Sequence, residues 1–228
     1  MRENMRFLTN YYQIREMTID RMKQIMIDNQ NSQPGGTVFL GDSITEFMDI
    51  DKFFPEIDKK YNCGLGGITS TILLNFIDEG VLKFRPSRLI YMIGTNDLGK
   101  TVMQSPKDIA IHVKELVETV HYNLPECQIY VVSPLPCIEK IHGYKSTPGV
   151  LRSNDLLKMI FKEMKKTIPY EFVTLINAYP SLCNKKGEPI EELYVDGLHI
   201  NDEGYKRYTD CLKEVIYKWF FDYIIINF

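Results

Sequence analysis

The sequence predicts an α/β protein in which a parallel sheet is covered by helices on both faces, and two observations carry that expectation. Short β-branched or aromatic apolar runs alternate with longer segments of helical period, which is the pattern of β/α crossovers. None of the runs shows clean polar alternation, as befits strands buried on both sides. At 228 residues the chain is long for one ordinary domain and short for two, so a single domain over 1–228 is expected.

Taken in order, a helix is expected over about 8–28 and a first strand over 37–40. Further strands are read at 60–63, 88–93, 128–132 and 172–176, giving five parallel strands. Helical segments separate them at roughly 70–79, 106–122 and 152–166, and a last helix follows over 202–220. In the second of these, Ile109, Val113, Leu116, Val117 and Val120 recur at intervals of three and four, which makes one buried stripe. Asn201 or Asp202 is placed to cap the last helix. The longest connection, 133–150, carries Pro134, Pro136, Gly143, Pro148 and Gly149 and leaves the end of the fourth strand. A lid or substrate-contact loop is expected there. Its His142, Tyr144 and Lys145, and Arg152 and Asn154 just beyond, read either as substrate contacts or as loop anchors. The tail over 219–228, WFFDYIIINF, reads as a segment docked on the core or sheet edge, with a homodimer contact as the alternative.

Composition narrows the function. Hydrophobic residues at 44% with 25% charged are ordinary for a soluble globular protein. A net charge of -3 with dispersed lysines argues against nucleic acid as a partner. The five cysteines lack C-x-x-C spacing, which argues against a zinc site and a full disulfide framework and fits a reducing compartment. No apolar leader segment or run of membrane-span length is visible, so a cytoplasmic protein without a membrane span is expected. Neither a cofactor nor a metal is called for.

Chemistry concentrates in four stretches. Gly41-Asp42-Ser43-Ile44 follows the first strand, Gly66-Gly67-Ile68-Thr69 the second and Gly94-Thr95-Asn96-Asp97 the third, while Asp196-Gly197-Leu198-His199 lies between the fifth strand and the last helix. In open parallel sheets ligands bind outside the carboxyl ends of the strands, so the first three stretches open onto one rim. A loop carrying Asp196 and His199 could reach it.

A serine hydroxyl needs a base within hydrogen-bond reach, itself held by a third group. Of the four histidines, only His199 has an acidic partner, Asp196, at short spacing in a loop that ought to face the rim. Ser43 is then the nucleophile, His199 the base and Asp196 its orienting carboxylate. Attack on an ester carbonyl develops an oxyanion, and each preorganised donor there is worth about 2.7–4 kcal/mol. Gly66-Gly67 supplies backbone amides without a Cβ in the way, Asn96 a side-chain amide, and Ser43 its own N–H. The glycines read equally as a tight strand-to-helix turn, and Asn96 as a turn residue.

With these residues in view, the sequence resembles the SGNH hydrolases, the GDSL-type esterase/lipase superfamily, from about residue 38 to 205. The resemblance implies a flavodoxin-like, three-layer α/β/α fold with a five-stranded parallel sheet. It implies catalysis by Ser43, His199 and Asp196, with Ser43, Gly67 and Asn96 forming the oxyanion hole. Ile44 stands where many members have leucine, and Ile68 where many have an acidic residue. Gly-Thr-Asn-Asp, Asp-Gly-Leu-His and the overall length look most like bacterial acylhydrolases similar to platelet-activating-factor acetylhydrolase subunits. That likeness implies a small-molecule ester with a short acyl group, often acetyl, on a sugar or a lipid-like alcohol. Asp42 and Asp97 are assigned to bracing the loops. Two other classes remain: a flavodoxin-like anion- or nucleotide-binding module using Gly64-x-Gly66-Gly67-x-Thr69, and a catalytically silent SGNH-fold protein that binds a partner.

Overall fold

Five strands, β1 (Thr37–Gly41), β2 (Lys60–Gly64), β3 (Arg88–Met92), β4 (Gln128–Val132) and β5 (Val173–Ile176), pair in the order β2-β1-β3-β4-β5. The coordinates are a computed structural model and describe residues 14–99 and 103–217. Every pairing is parallel, and Gly41 stands level with Gly64 on one side and Met92 on the other. The ends of β1, β2 and β3 therefore share one rim. The order reverses between β1 and β3, which is where ligands collect in doubly wound sheets.

Side chains alternate between two cores. Val38, Leu40, Leu89, Tyr91, Ile129 and Val131 face one layer, whereas Phe39, Ile90, Met92, Tyr130 and Val132 face the other. The first layer is built by α1 (Glu16–Asn31), α4 (Ser70–Asn75), α5 (Ile77–Gly80), α6 (Pro106–Asn123) and α8 (Asn154–Thr167). The second holds α2 (Ser43–Glu46), α3 (Ile50–Phe53) and α9 (Asp202–Ile216). This is the three-layer α/β/α arrangement with five parallel strands.

The long helices start where the local chemistry says they should. Ser105 and Asp108 form a reciprocal capping box ahead of α6, with Pro106 at its first position. The apolar stripe buries Ile109, Val113, Leu116, Val117 and Val120 as expected, with Ala110 beside it. Ser153 caps α8 through Leu156 N, and Asn201, rather than Asp202, caps α9 through Gly204 N.

Several elements differ from expectation. The first helix begins at Glu16, because Arg15 is extended, and runs to Asn31 instead of 28. Buried Asn29 extends it by donating to Glu79 O at 3.0 Å and Glu79 Oε2 at 2.8 Å. Residues 8–13 of that expected helix lie outside the described residues. The single helix expected over 70–79 is two, α4 and α5, interrupted at Phe76 with φ -101° and ψ 9°. Leu73, Phe76 and Ile77 all face the same core, so the apolar period continues across a break in the backbone. Arg152 lies outside α8, which Ser153 caps two residues later than expected. The connection over 133–150 contains a further turn of helix, α7 (Glu139–His142). The last helix ends at Ile216, and the expected tail over 219–228 lies outside the described residues, as do positions 218–220 of the expected last helix. Among the described residues no helix is long and apolar enough to cross a membrane.

Candidate active site

Ser43 is the first residue of α2, directly beyond the end of β1. Asp42 Oδ1 accepts the Ile44 N–H at 2.9 Å and so caps this short helix. From the other layer, the Tyr205 hydroxyl of α9 donates to Ile44 O at 2.8 Å. Asn62 of β2 donates to Thr45 O at 2.8 Å and Met48 O at 3.1 Å. A Cβ on Gly64 would fall on the backbone of Thr45 and Glu46, so only glycine lets α2 lie this close over the end of β2. The serine thus sits on a turn held from several sides.

His199 Nε2 lies 3.0 Å from Ser43 Oγ, and His199 Nδ1 lies 2.6 Å from Asp196 Oδ2. Because a carboxylate accepts only, Nδ1 carries the proton and Nε2 is left to accept from the serine hydroxyl. Asp196 Oδ1 accepts the backbone N–H of Leu198 at 2.9 Å and of His199 at 2.8 Å, so the loop folds around its own carboxylate. Partial burial pushes the Asp196 pKa up, but the bonds from the His199 ring and from both amides outweigh it and bring it down to about 2. Phe47 covers the imidazole, with ring centroids 5.3 Å apart.

Across the cleft stand Gly67 and Asn96. Gly67 adopts φ +73°, a left-handed conformation that favours glycine. The Gly66 N–H is held by Glu46 Oε2 at 2.5 Å. Asn96 Nδ2 donates one hydrogen to Ile68 O at 3.1 Å, and the amide has a second. Ser43, Gly67, Asn96 and His199 line one cleft of about 340 Å³. A larger cavity of about 540 Å³ lies between α8 and the segment after β5 and contains none of them.

The sequence model of the GDSL-like Lipase/Acylhydrolase family matches residues 39–207. The chain belongs to this family. It is accordingly a carboxylic ester hydrolase. A search of curated proteins finds no match. Among solved structures, the chain is similar to one from Streptococcus pneumoniae provisionally named for platelet-activating factor, with 22% identity and a TM-score of 0.76 over 88% of this chain and 95% of that one. A GDSL-like lipase of Bacteroides thetaiotaomicron gives 22% identity and a TM-score of 0.70 over 86% and 97%. An acetyl-xylooligosaccharide esterase from Geobacillus, in a mutant form, gives 16% identity and 0.61 over 79% and 94%. At these identities the likeness shows a shared fold.

Two buried carboxylates support the acylhydrolase's rim. Burial pushes the Asp42 pKa up to about 6, against the lowering effects of the Ile44 amide and of His199 and Arg152 nearby. Asp97 is also raised by burial, and Ser70 opposes the shift through its hydroxyl and backbone N–H. Asp97 was expected to brace its own loop beside Asn96. Its carboxylate reaches across to the first residue of α4, accepting Ser70 N at 3.0 Å and Ser70 Oγ at 2.5 Å. Ser70 Oγ in turn lies 2.9 Å from His112 Nδ1 of α6, which ties three elements together beneath the cleft.

The acylhydrolase's sequence left several of these partners unread. Glu46 accepts the Gly66 N–H from the same short helix as Ser43, and its position three residues after Ser43 is the only signal. Tyr205 and the pair Ser70 and His112 meet the site through tertiary packing alone. In the connection over 133–150, His142 lines the cleft while Tyr144 is exposed and stacks under Lys145 at 5.5 Å. Asn154 is an anchor, exchanging bonds with both Cys137 N and Cys137 O. Among the described residues no group of three or more His, Cys, Asp or Glu could hold a metal.

Proposed function

We propose that this acylhydrolase is a serine esterase that cleaves short-chain esters, acetyl esters foremost, through an acyl-enzyme on Ser43. One observation carries the reading: the unbroken relay of 2.6 Å from Asp196 to His199 and 3.0 Å from His199 to Ser43. Ser43 Oγ attacks the carbonyl carbon as His199 Nε2 takes its proton, and Asp196 stabilises the imidazolium. The carbonyl oxygen becomes an oxyanion held by Ser43 N–H, Gly67 N–H and the second hydrogen of Asn96 Nδ2. As the first residue of α2, Ser43 contributes an amide that has no acceptor within its helix. The tetrahedral species collapses, the C–O bond to the alcohol breaks, and His199 returns the proton to the leaving oxygen. Water, deprotonated by the same imidazole, then attacks the acyl-enzyme and frees the acid. Asp42 and Asp97 hold the loops and exchange no proton with substrate.

A short acyl group suits the small cleft, and the acetyl-xylooligosaccharide esterase that shares the fold is named for an acetyl ester. The five unpaired cysteines favour a reducing, cytoplasmic setting. Turnover of 4-nitrophenyl esters from acetyl to decanoyl tests the reading. Activity should be greatest at acetyl and fall with length, and Ser43→Ala should lose roughly 10⁴–10⁶-fold in kcat while unfolding at the same temperature. A Ser43→Ala protein that retains wild-type turnover would refute it.

A further inference from the structure

Two guanidinium groups flank the oxyanion side of the cleft, and neither has a carboxylate within ion-pair distance among the described residues. We infer that the alcohol portion of the substrate is anionic, with a carboxylate or phosphate bound between Arg15 and Arg152. The inference rests on the esterase reading above, and it assigns the charge to the alcohol because a short acyl group leaves no place for one.

Arg152 is only 6% exposed, yet it lines the cleft. Its Nε donates to Thr95 O at 3.1 Å, next to Asn96, and its Nη1 reaches His142 O at 3.5 Å. Its Nη2 has no acceptor among the described residues. Carbonyl oxygens hold the group in place without neutralising it, and the Asp42 and Cys137 side chains act on it only at longer range. A buried charge left without a direct counter-ion is costly, and a guanidinium stays protonated, so an anionic ligand is the partner this site lacks.

Arg15 approaches from the other side, with its Cζ 4.0 Å from where a Cβ on Gly67 would stand. It is exposed and enters no ion pair among the described residues. Its backbone is fixed, because Arg15 O accepts the N–H groups of Thr18 and Ile19 at 2.9 and 3.0 Å. The start of α1 is lashed to the rim, with Thr18 Oγ1 donating to Gly66 O at 2.9 Å and Arg21 Nη2 to Asn62 O. The carboxylates at the cleft are already engaged: Glu46 by Gly66 N–H, and Asp196 by His199 and Leu198. The two arginines are therefore left to an incoming anion, which Arg can grip in a bidentate fork.

Two matched pairs of acetyl esters test this: 4-acetoxybenzoate against its methyl ester, and 2-acetoxyethyl phosphate against its dimethyl ester, each kcat/KM divided by the ester's own hydroxide-catalysed rate. The wild type should favour the charged member of at least one pair by roughly tenfold or more, the scale of one charge-assisted hydrogen bond. Which pair responds identifies the anion. Arg15→Gln and Arg152→Gln should each lower the charged-to-neutral ratio severalfold, chiefly through KM, and Arg152→Lys should recover part of it. Arg15 is exposed, so its variant keeps the test open if Arg152→Gln does not fold. Equal turnover of charged and neutral members in both pairs, or a preference unchanged in a folded Gln variant, overturns the inference and leaves the esterase reading standing. No turnover of any of the four esters overturns both.

Discussion

At the scale of single residues, the proposed mechanism divides the site into groups that move protons or acyl group and groups that hold charge. Asn96→Ala removes one of the proposed oxyanion donors, and kcat should fall about 10²–10³-fold in steady-state assays on 4-nitrophenyl acetate. The two aspartates with opposite pKa shifts have opposite consequences for stability. Asp196 is held down to about 2, so its stabilising contribution is complete above its unfolded value near 4 and disappears as pH falls from about 4 to 2. Thermal unfolding should show wild type more stable than Asp196→Asn at pH 6, with the gap closing through that acid window. Asp42 is raised to about 6, so the folded state binds the extra proton between about 4 and 6 and loses stability as pH rises across that interval. The stability of Asp42→Asn relative to wild type should therefore improve from pH 4 to pH 7. A parallel pair of curves would mean that Asp42 titrates normally. The sequence singles out Ser43, His199, Asp196, Gly67 and Asn96 because their types and spacings are tied to acyl-transfer chemistry, and the fold brings them together. Glu46 has no role in the sequence reading and Arg152 only an open one, substrate contact or loop anchor, since a carboxylate on a helix and an arginine after a loop have many ordinary uses.

At the scale of elements, the site depends on how closely α2 can lie over β2. Gly64→Ala puts a methyl group into the backbone of Thr45 and Glu46, where no side-chain movement relieves it. It should destabilise the protein by about 1–3 kcal/mol and lower activity by displacing Ser43. Ser105→Ala, which removes the cap of α6 and no residue lining the cleft, should cost about 1 kcal/mol and leave kcat untouched. Urea unfolding alongside turnover separates the two outcomes. The sequence reads α6 well because its stripe and its cap coincide. It reads α4 and α5 as one helix because Leu73, Phe76 and Ile77 keep a helical apolar period through a backbone break at Phe76. Hydrophobic spacing reports which face is buried, and it says nothing of whether the hydrogen-bond ladder is continuous. The short α2, α3 and α7 were unread for a related reason: a single turn is too brief to show a period.

At the scale of the whole molecule, strand order converts motifs scattered along the chain into one site. The order β2-β1-β3-β4-β5 places the turns after β1 and β3 side by side at the reversal, with the turn after β2 next to them. Asp196 and His199 arrive from beyond β5 on a loop that Ile138 N holds through Gly197 O at 2.8 Å. Sequence alone assigns each motif to a strand end, but neighbours in the sheet are chosen by packing of both faces, so the 3.0 Å contact between His199 and Ser43 becomes visible only in the fold. Whether this contact activates Ser43 is read out by labelling with a fluorophosphonate followed by peptide mass mapping. The account predicts one adduct, on Ser43, that is absent in Ser43→Ala and forms roughly 10³-fold or more slowly in His199→Ala. An adduct on another residue such as Ser70, or labelling of Ser43 at an unchanged rate in His199→Ala, would contradict it.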